Sequence, residues 1–544
     1  MPDPSTWDEA CQRHDRAKWL EGGLKHWRRL EEFGTLGEPV PISELPPDIK
    51  PVRSGDVLNT KRSGVNRWRL VIKGFLMQPG IHYNETFAPV VQITTLRIML
   101  VLMTMYDWTD WQGDAPSAFM QPKMDSNIFI LPSAALRYHH AKLRALEAIH
   151  GIGKVAMKLL KGLPGIPQGS RLWNTLIHKV LTAIGFTRSK IDYGLYYRKT
   201  ATAGVEHTIF ILIWVDDLFS FFHESVKDVA MQCWNVLRKQ LKLEAPQPIN
   251  DCLGCVITRD RKAGKTFLTQ EPSVKALQRK LGLEDVKGHA DTPMDANLKI
   301  SRDECPNEAE QMTRGERIKR YQSVVASFIY FAMWTRPDIS FAVGYLARFM
   351  HNPPDSAEKA LKRLVRYVFD TANFGLCYDF SKPDEAANRG IYGYYDSSFA
   401  DCPDTRKSTG GHILFWYGCP VAWVSKLHPY VTTSTDHSEY VAGAICAREA
   451  IFQSNLATEI GMEQPTIHLW SDSKGCISQC YNPVNRKNSK HVDLADHYIR
   501  EQVERKRITV SYTNTKDMVA DIFTKPLPRV SFSKLSGMFM AAEI

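Results

Sequence analysis

Apolar residues recur at helical spacing in some stretches and as short continuous runs in others, and the two patterns divide the chain. "TTLRIMLVLMTMYDW", residues 94–108, is apolar on nearly every side and predicts a buried helix. "GSRLWNTLIHKVLTAIGF" keeps its apolar residues to one face and predicts an amphipathic helix. "SNIFILP" and "HTIFILIWV" have strand length. Strands and helices mix from 66 to 245, which reads as α+β. From 246 to 385 helical patterns dominate, as in "QSVVASFIYFAMW" and "SAEKALKRLVRYVFD"; Lys359, Lys362, Arg363 and Arg366 form a basic stripe suited to a nucleic-acid backbone or to a solvated face. "SKPDEAANRG", 381–390, predicts a boundary. Beyond it, over 386–530, the order is three strands, a helix from about 437 to 460, the strand "TIHLWS", two helices, the strand "ITVSYT" and a final helix. Residues 1–65, rich in Trp, Pro and charge, read as a lead-in, and 531–544 as a tail.

One apolar run is interrupted by charge. In "TIFILIWVDDLFSFF", 208–222, Asp216 and Asp217 stand side by side between two strand-like segments, as at a hairpin tip. Ionised carboxylates withdrawn from water need a cation or hydrogen-bond donors. Asp also suits turns, but Leu218 follows where a favoured turn would have Gly or Asn. Asp114, in "WTDWQGDAPSAFMQP", ends another strand-like passage five residues before Phe119. Three carboxylates from separate elements are the donors that a pair of divalent ions requires for phosphoryl transfer. In the last segment Asp396, Glu439, Asp472 and Asp521 fall at element ends; helix capping would explain Asp436 with Glu439, or Asp472, taken singly.

Composition narrows the partners. The chain has 544 residues, enough for three or four domains, and a formal net charge of +10 that favours polyanions. Its eleven cysteines are scattered, and Cys252 and Cys255 lack a second pair at zinc-ligand spacing, so reduced, mostly buried thiols are expected. The N-terminus is polar and no apolar run reaches a bilayer's width, which predicts an intracellular soluble protein.

From residue 66 to 528 the chain resembles the reverse transcriptase and ribonuclease H of copia-type retrotransposon Pol polyproteins. The matching blocks are "YNETFAPVVQITTLRIML", "GDAPSAF", "GIPQGSRLW", "WVDD", "LGCVI", "DTPM" and "YQSVVASFIYFAMWTRPDISFAVGYLARFM", then "YYDSSFADCPDTRKSTGGHILF", "STDHSEYVA", "KHVDLADHYIRE" and "DMVADIFTKPL". The resemblance implies an α+β and α/β multidomain protein, a right-hand polymerase with fingers and palm at 66–245 and thumb or connection at 246–385, then a ribonuclease H-like domain at 386–530. It implies Mg²⁺, or Mn²⁺, at Asp114, Asp216 and Asp217 and again at Asp396, Glu439, Asp472 and Asp521. Arg69 and Lys73 would meet the triphosphate, Phe119 would exclude a ribose 2′-OH, and Gln168 would line the nucleotide pocket. Lys490 and His491 would meet the hybrid. Implied partners are an RNA template, a DNA primer, an RNA–DNA hybrid and dNTPs, in the cytoplasm, in virus-like particles or in the nucleus. Trp214 in place of the usual Tyr, Pro116, and Gly169-Ser170 in place of Ala-Pro depart from the pattern, with Pro116 expected to disturb its strand. The rival reading is an inactive nucleic-acid-binding remnant, against which the seven retained carboxylates argue.

Overall fold

In the computed structural model, which describes residues 2–60, 64–283, 288–381, 390–462, 466–482 and 497–542, four five-stranded sheets carry the fold. The expected boundary "SKPDEAANRG" falls mostly outside these residues, as do Lys490 and His491.

The fingers sheet runs, edge to edge, through Leu36–Pro41, Val155–Leu159, Phe129–Leu131, Val52–Thr60 and Asn66–Ile72. Pro39 and Pro41 are tolerated because their strand lies at the sheet's edge. In Asn66–Ile72 alternation is strict: Asn66, Trp68, Leu70 and Ile72 are buried, while Arg67, Arg69 and Val71 face outward. Trp7, Trp19, Leu30 and Trp68 share one apolar core with this sheet. The described residues 2–60 are therefore joined to the fingers: the sheet pairs Val52–Thr60 with Asn66–Ile72, across the expected break at 65.

The palm sheet has the order Thr109–Asp114, Asp217–Phe222, Val205–Trp214, Leu195–Thr202, Thr187–Arg188. The helix Ile93–Met105 is buried from Thr95 through Thr104, as its all-round apolar sequence predicts. Gly169–Ala183 buries Leu172, Trp173, Ile177, Val180 and Leu181 along one face.

The middle segment is more than helical. Asp251–Cys252, Cys255–Asp260, Lys265–Thr269 and Phe374–Asp379 form a sheet beside the helices Gly315–Trp334 and Asp355–Asp370, and its last strand, Ala541–Ala542, comes from the C-terminal residues. Those residues are thus joined to the middle segment. Of the basic stripe, Lys359, Lys362 and Arg366 are exposed, whereas Arg363 holds the carbonyl and hydroxyl of Thr292.

In the last domain Ile391–Ser398, Thr409–Trp416 and Cys419–Leu427 are antiparallel, and Ile467–Ser471 and Ile508–Tyr512 add in parallel on the other side of the first strand. The helix Thr435–Glu459 lies on this sheet through small residues; a Cβ on Gly443 would meet the Tyr395 ring at 2.9 Å. This strand order and sense is that of a ribonuclease H-like fold. All eleven cysteines are free and eight are buried. Among the described residues no helix is long and apolar enough to cross a membrane.

Candidate active sites

The palm acids meet at a hairpin. Val205–Trp214 turns into Asp217–Phe222 through Val215 and Asp216, and Asp217 pairs with Trp214 on one side and with Asp114 on the other. The Ala115 amide donates to the Asp216 carbonyl at 2.9 Å, which makes Asp114 and Asp217 a non-hydrogen-bonded pair, the geometry with Cα atoms about 4.5 Å apart and side chains on the same face. Val215 has φ +55°, a left-handed conformation costly for a β-branched residue, at a turn position that ordinarily takes Gly. Its carbonyl accepts from the Trp173 indole N–H at 2.5 Å, so the strained turn is held from behind by the helix Gly169–Ala183.

Burial, then the charges of Asp216, Asp114 and Asp251, push the Asp217 carboxyl up to about 7. Such crowding of like charges is what a bound cation would relieve. Among the described residues the palm oxygens are not all within 4.8 Å of one another, as those of Asp396, Glu439 and Asp472 are. Pro116 does not disturb the strand: Thr109–Asp114 ends first, and the proline occupies the turn before Ala118–Met120. Trp214 packs edge-on against Trp334 with ring centroids 5.7 Å apart, which ties this turn to the helix Gly315–Trp334.

Around this turn the other expected residues divide. Arg69 lies on the outward face of Asn66–Ile72, and Lys73 is exposed just past its end. Phe119 is half-buried, with its ring 3.4 Å from where a Cβ on Gly169 would stand. Gln168 is wholly buried, its amide donating to the His82 carbonyl and to Ser126, so it does not face an open pocket as expected. Two residues were missed. Arg67, on the same strand face as Arg69, is the fingers cation whose charge couples to Asp114 and Asp216, and strand parity would have found it. Asp251 adds charge beside Asp217 from the two-residue strand Asp251–Cys252, which no local pattern marks.

In the ribonuclease H-like domain an oxygen each of Asp396, Glu439 and Asp472 lie within 4.8 Å of one another. Two unit charges at that distance repel by about 3–4 kcal/mol at an effective dielectric near 20, too much for a marginally stable domain to carry uncompensated. Glu439 Oε1 accepts from the Ser397 amide at 3.0 Å, while Oε2 is buried with no hydrogen-bond partner among the described residues. Burial, with Asp396, Cys476 and Asp472 near it, raises the Glu439 carboxyl well above the usual range. Glu439 caps nothing, since Ser434 is the N-cap and Asp436 accepts from the Ser473 hydroxyl at 2.9 Å.

Asp521 lies in the short 3₁₀ helix Val519–Phe523, not in the final helix, Arg529–Ser536. It stands outside the trio but is bound to it. The Lys525 ammonium is 2.8 Å from Asp521 and 3.8 Å from Asp396, and the Thr524 hydroxyl donates to Asp396. Burial and Asp396 lift Asp521 to about 7, with Lys525 pulling the other way. Burial works against the charge of Lys525, but Asp396 and Asp521 outweigh it and raise its pKa. Lys525 was not among the expected residues, although it stands in the quoted "TKPL".

A right-hand polymerase palm joined to a ribonuclease H-like domain is the class these two clusters define. Residues 40–296 match the family described as "Reverse transcriptase (RNA-dependent DNA polymerase)". The chain is 28% identical, over 98% of its own length and 39% of the relative's, to the retrovirus-related Pol polyprotein from transposon TNT 1-94 of Nicotiana tabacum. It is 29% identical to that from transposon RE2 of Arabidopsis thaliana, over 87% of this chain and 30% of the relative. A solved foamy viral protease-reverse transcriptase in complex with double-stranded DNA superposes with TM-score 0.46 at 13% identity, covering 92% of this chain and 70% of that one. The chain is thus similar over most of its length to plant retrotransposon Pol polyproteins, and it spans about two fifths or less of the length of these curated relatives.

Proposed function

We propose that the chain polymerises DNA on an RNA or DNA template and hydrolyses the RNA strand of the resulting hybrid, inside the cell. The observation that carries this reading is the direct pairing of Asp114 with Asp217 beside a strained turn that presents Asp216. Both clusters offer carboxylate oxygens alone, a donor set that fits a hard cation such as Mg²⁺, or Mn²⁺, better than zinc or copper. The orphaned Glu439 oxygen supports the same fit.

Asp114, Asp216 and Asp217 would hold such ions in the palm, and Asp396, Glu439 and Asp472, with Asp521 beside them, in the nuclease. Bound there, the ions would activate the attacking oxygen and neutralise the charge that builds on the leaving group. Arg67, Arg69 and Lys73 would bind the triphosphate of a dNTP, where charge-assisted hydrogen bonds are strongest. Phe119 would pack under the deoxyribose and exclude a 2′-OH. In the nuclease, Lys525 would keep Asp396 and Asp521 together before the substrate arrives.

Primer extension with Mg²⁺ on poly(rA)·oligo(dT) tests the polymerase: wild type extends and Asp216→Asn does not, and equal inertness of the two would leave the inactive-remnant reading standing. Cleavage of a hybrid's RNA strand, lost in Glu439→Gln while extension persists, tests the nuclease.

A further inference from the structure

We infer that Lys525 is a built-in cation of the nuclease: its ammonium holds the position between Asp396 and Asp521 that a second divalent ion would take. Without substrate the four acids then bind one such ion, and they admit another only when the lysine leaves. This inference rests on the nuclease reading of the four acids.

The turn that carries Asp521 builds the contact. Val519–Phe523 closes as a 3₁₀ helix, and the Lys525 amide then donates back to the Asp521 carbonyl at 3.2 Å, which brings residue 525 over residue 521. Pro526, lacking an N–H, does not extend the turn. The Thr524 hydroxyl donates to Asp396 Oδ2, so Thr524 and Lys525 both face the acids. The ammonium ends 2.8 Å from Asp521 Oδ1 and 3.8 Å from Asp396 Oδ2.

The four acids are unequally served. Among the described residues Lys525 is the one side-chain cation in an ion pair with any of them. Asp396, Glu439 and Asp472 bring their oxygens close enough together to share one ion, and no lysine or arginine among the described residues bridges those three. Asp472 accepts instead from the Thr515 hydroxyl at 2.7 Å, and Glu439 from the Ser397 amide. Asp521 stands apart and reaches Asp396 through the lysine. A divalent ion on Asp521 and Asp396 would sit about 2 Å from the oxygens the ammonium now faces, so like charge makes the two occupants exclude one another. Mobility decides which of the partners yields. The Lys525 side chain is 38% exposed, whereas those of Asp396 and Asp521 are 4% and 8% exposed. A flexible, partly solvated stem can swing away while the acids stay in place. A phosphodiester arriving at the site offers the ammonium another acceptor, which couples that movement to substrate.

Mn²⁺ binding to the full chain tests this, with the palm silenced by Asp216→Asn/Asp217→Asn and both free and bound ion read by electron paramagnetic resonance. With Lys525 present, one ion with an isolated-ion spectrum is expected. Adding Lys525→Met should tighten a second ion at least about tenfold, since one neighbouring charge shifts such an equilibrium by about one to three decades. The pair, about 4 Å apart, should give a spin-coupled spectrum. Asp521→Asn on top of Lys525→Met should remove the second ion, and Lys525→Arg, which keeps the charge, should bind one. Should Lys525→Met fail to fold, Lys525→Gln carries the same expectation. Two coupled ions with Lys525 in place, or one ion in the Lys525→Met chain, would overturn the inference and leave the nuclease reading standing. No bound ion in any of these chains would sink the nuclease reading and the inference with it.

Discussion

Replacing Asp217 by Asn should stabilise the palm while destroying its activity. Asp217 titrates at about 7 against an ordinary 3.8 because it is half-buried among Asp216, Asp114 and Asp251. A carboxyl whose folded pKa is raised contributes stability that is complete below the unfolded value and lost as pH rises through the folded one. Here that window runs from about 4 to about 7. Taken at face value the shift is ~4 kcal/mol. Asp114 and Asp216 are exposed, so solvent screening reduces this to about 1–2 kcal/mol. Asn mimics the protonated acid and escapes the loss. In metal-free buffer, hydrogen exchange of residues 205–222, corrected for intrinsic rates, should show the variant's strands opening less readily at pH 8 by that amount. At pH 4 the difference should shrink to about a third of it. Equal protection at both pH values, or a variant less stable at pH 8, would refute crowding of charge at this turn.

Other outcomes follow from the same geometry. Trp173→Phe removes the donor to the Val215 carbonyl and should cost about 1–2 kcal/mol in denaturant unfolding, lowering kcat for extension more than it raises KM for dNTP. Glu439→Gln should abolish hybrid cleavage, preserve extension and stabilise the metal-free nuclease domain at neutral pH, because a neutral amide replaces a crowded buried carboxylate. Asp338→Asn strips the partner from the fully buried Arg336, 2.8 Å away, and should cost about 3–5 kcal/mol in chemical denaturation.

The acids were legible in the sequence because an ionisable pair inside an apolar run has few explanations, and the nuclease fold because its strands and long helix have clear periods. The middle sheet was hidden: "CVITRD" and "KTFLT" are short, and the strand that joins them, Phe374–Asp379, lies about a hundred residues on. The same long-range closure concealed the place of residues 1–65 in the fingers, where helix and strand are joined through His26 and Gly22, residues of no local distinction. Asp521 was found as an acid but put in the wrong element, since "VADIF" has helical composition and closes only a 3₁₀ turn. Gln168 was misread because a buried polar residue at a helix start and a pocket residue look alike in one dimension.

The central claim is that two groups of acids from separate elements each gather around divalent cations. Its most direct test is Mn²⁺ titration of the full chain, with free ion read by electron paramagnetic resonance. Asp216→Asn/Asp217→Asn should remove one class of sites and Glu439→Gln/Asp472→Asn the other, each leaving its counterpart intact. An isotherm that neither double variant alters would contradict it.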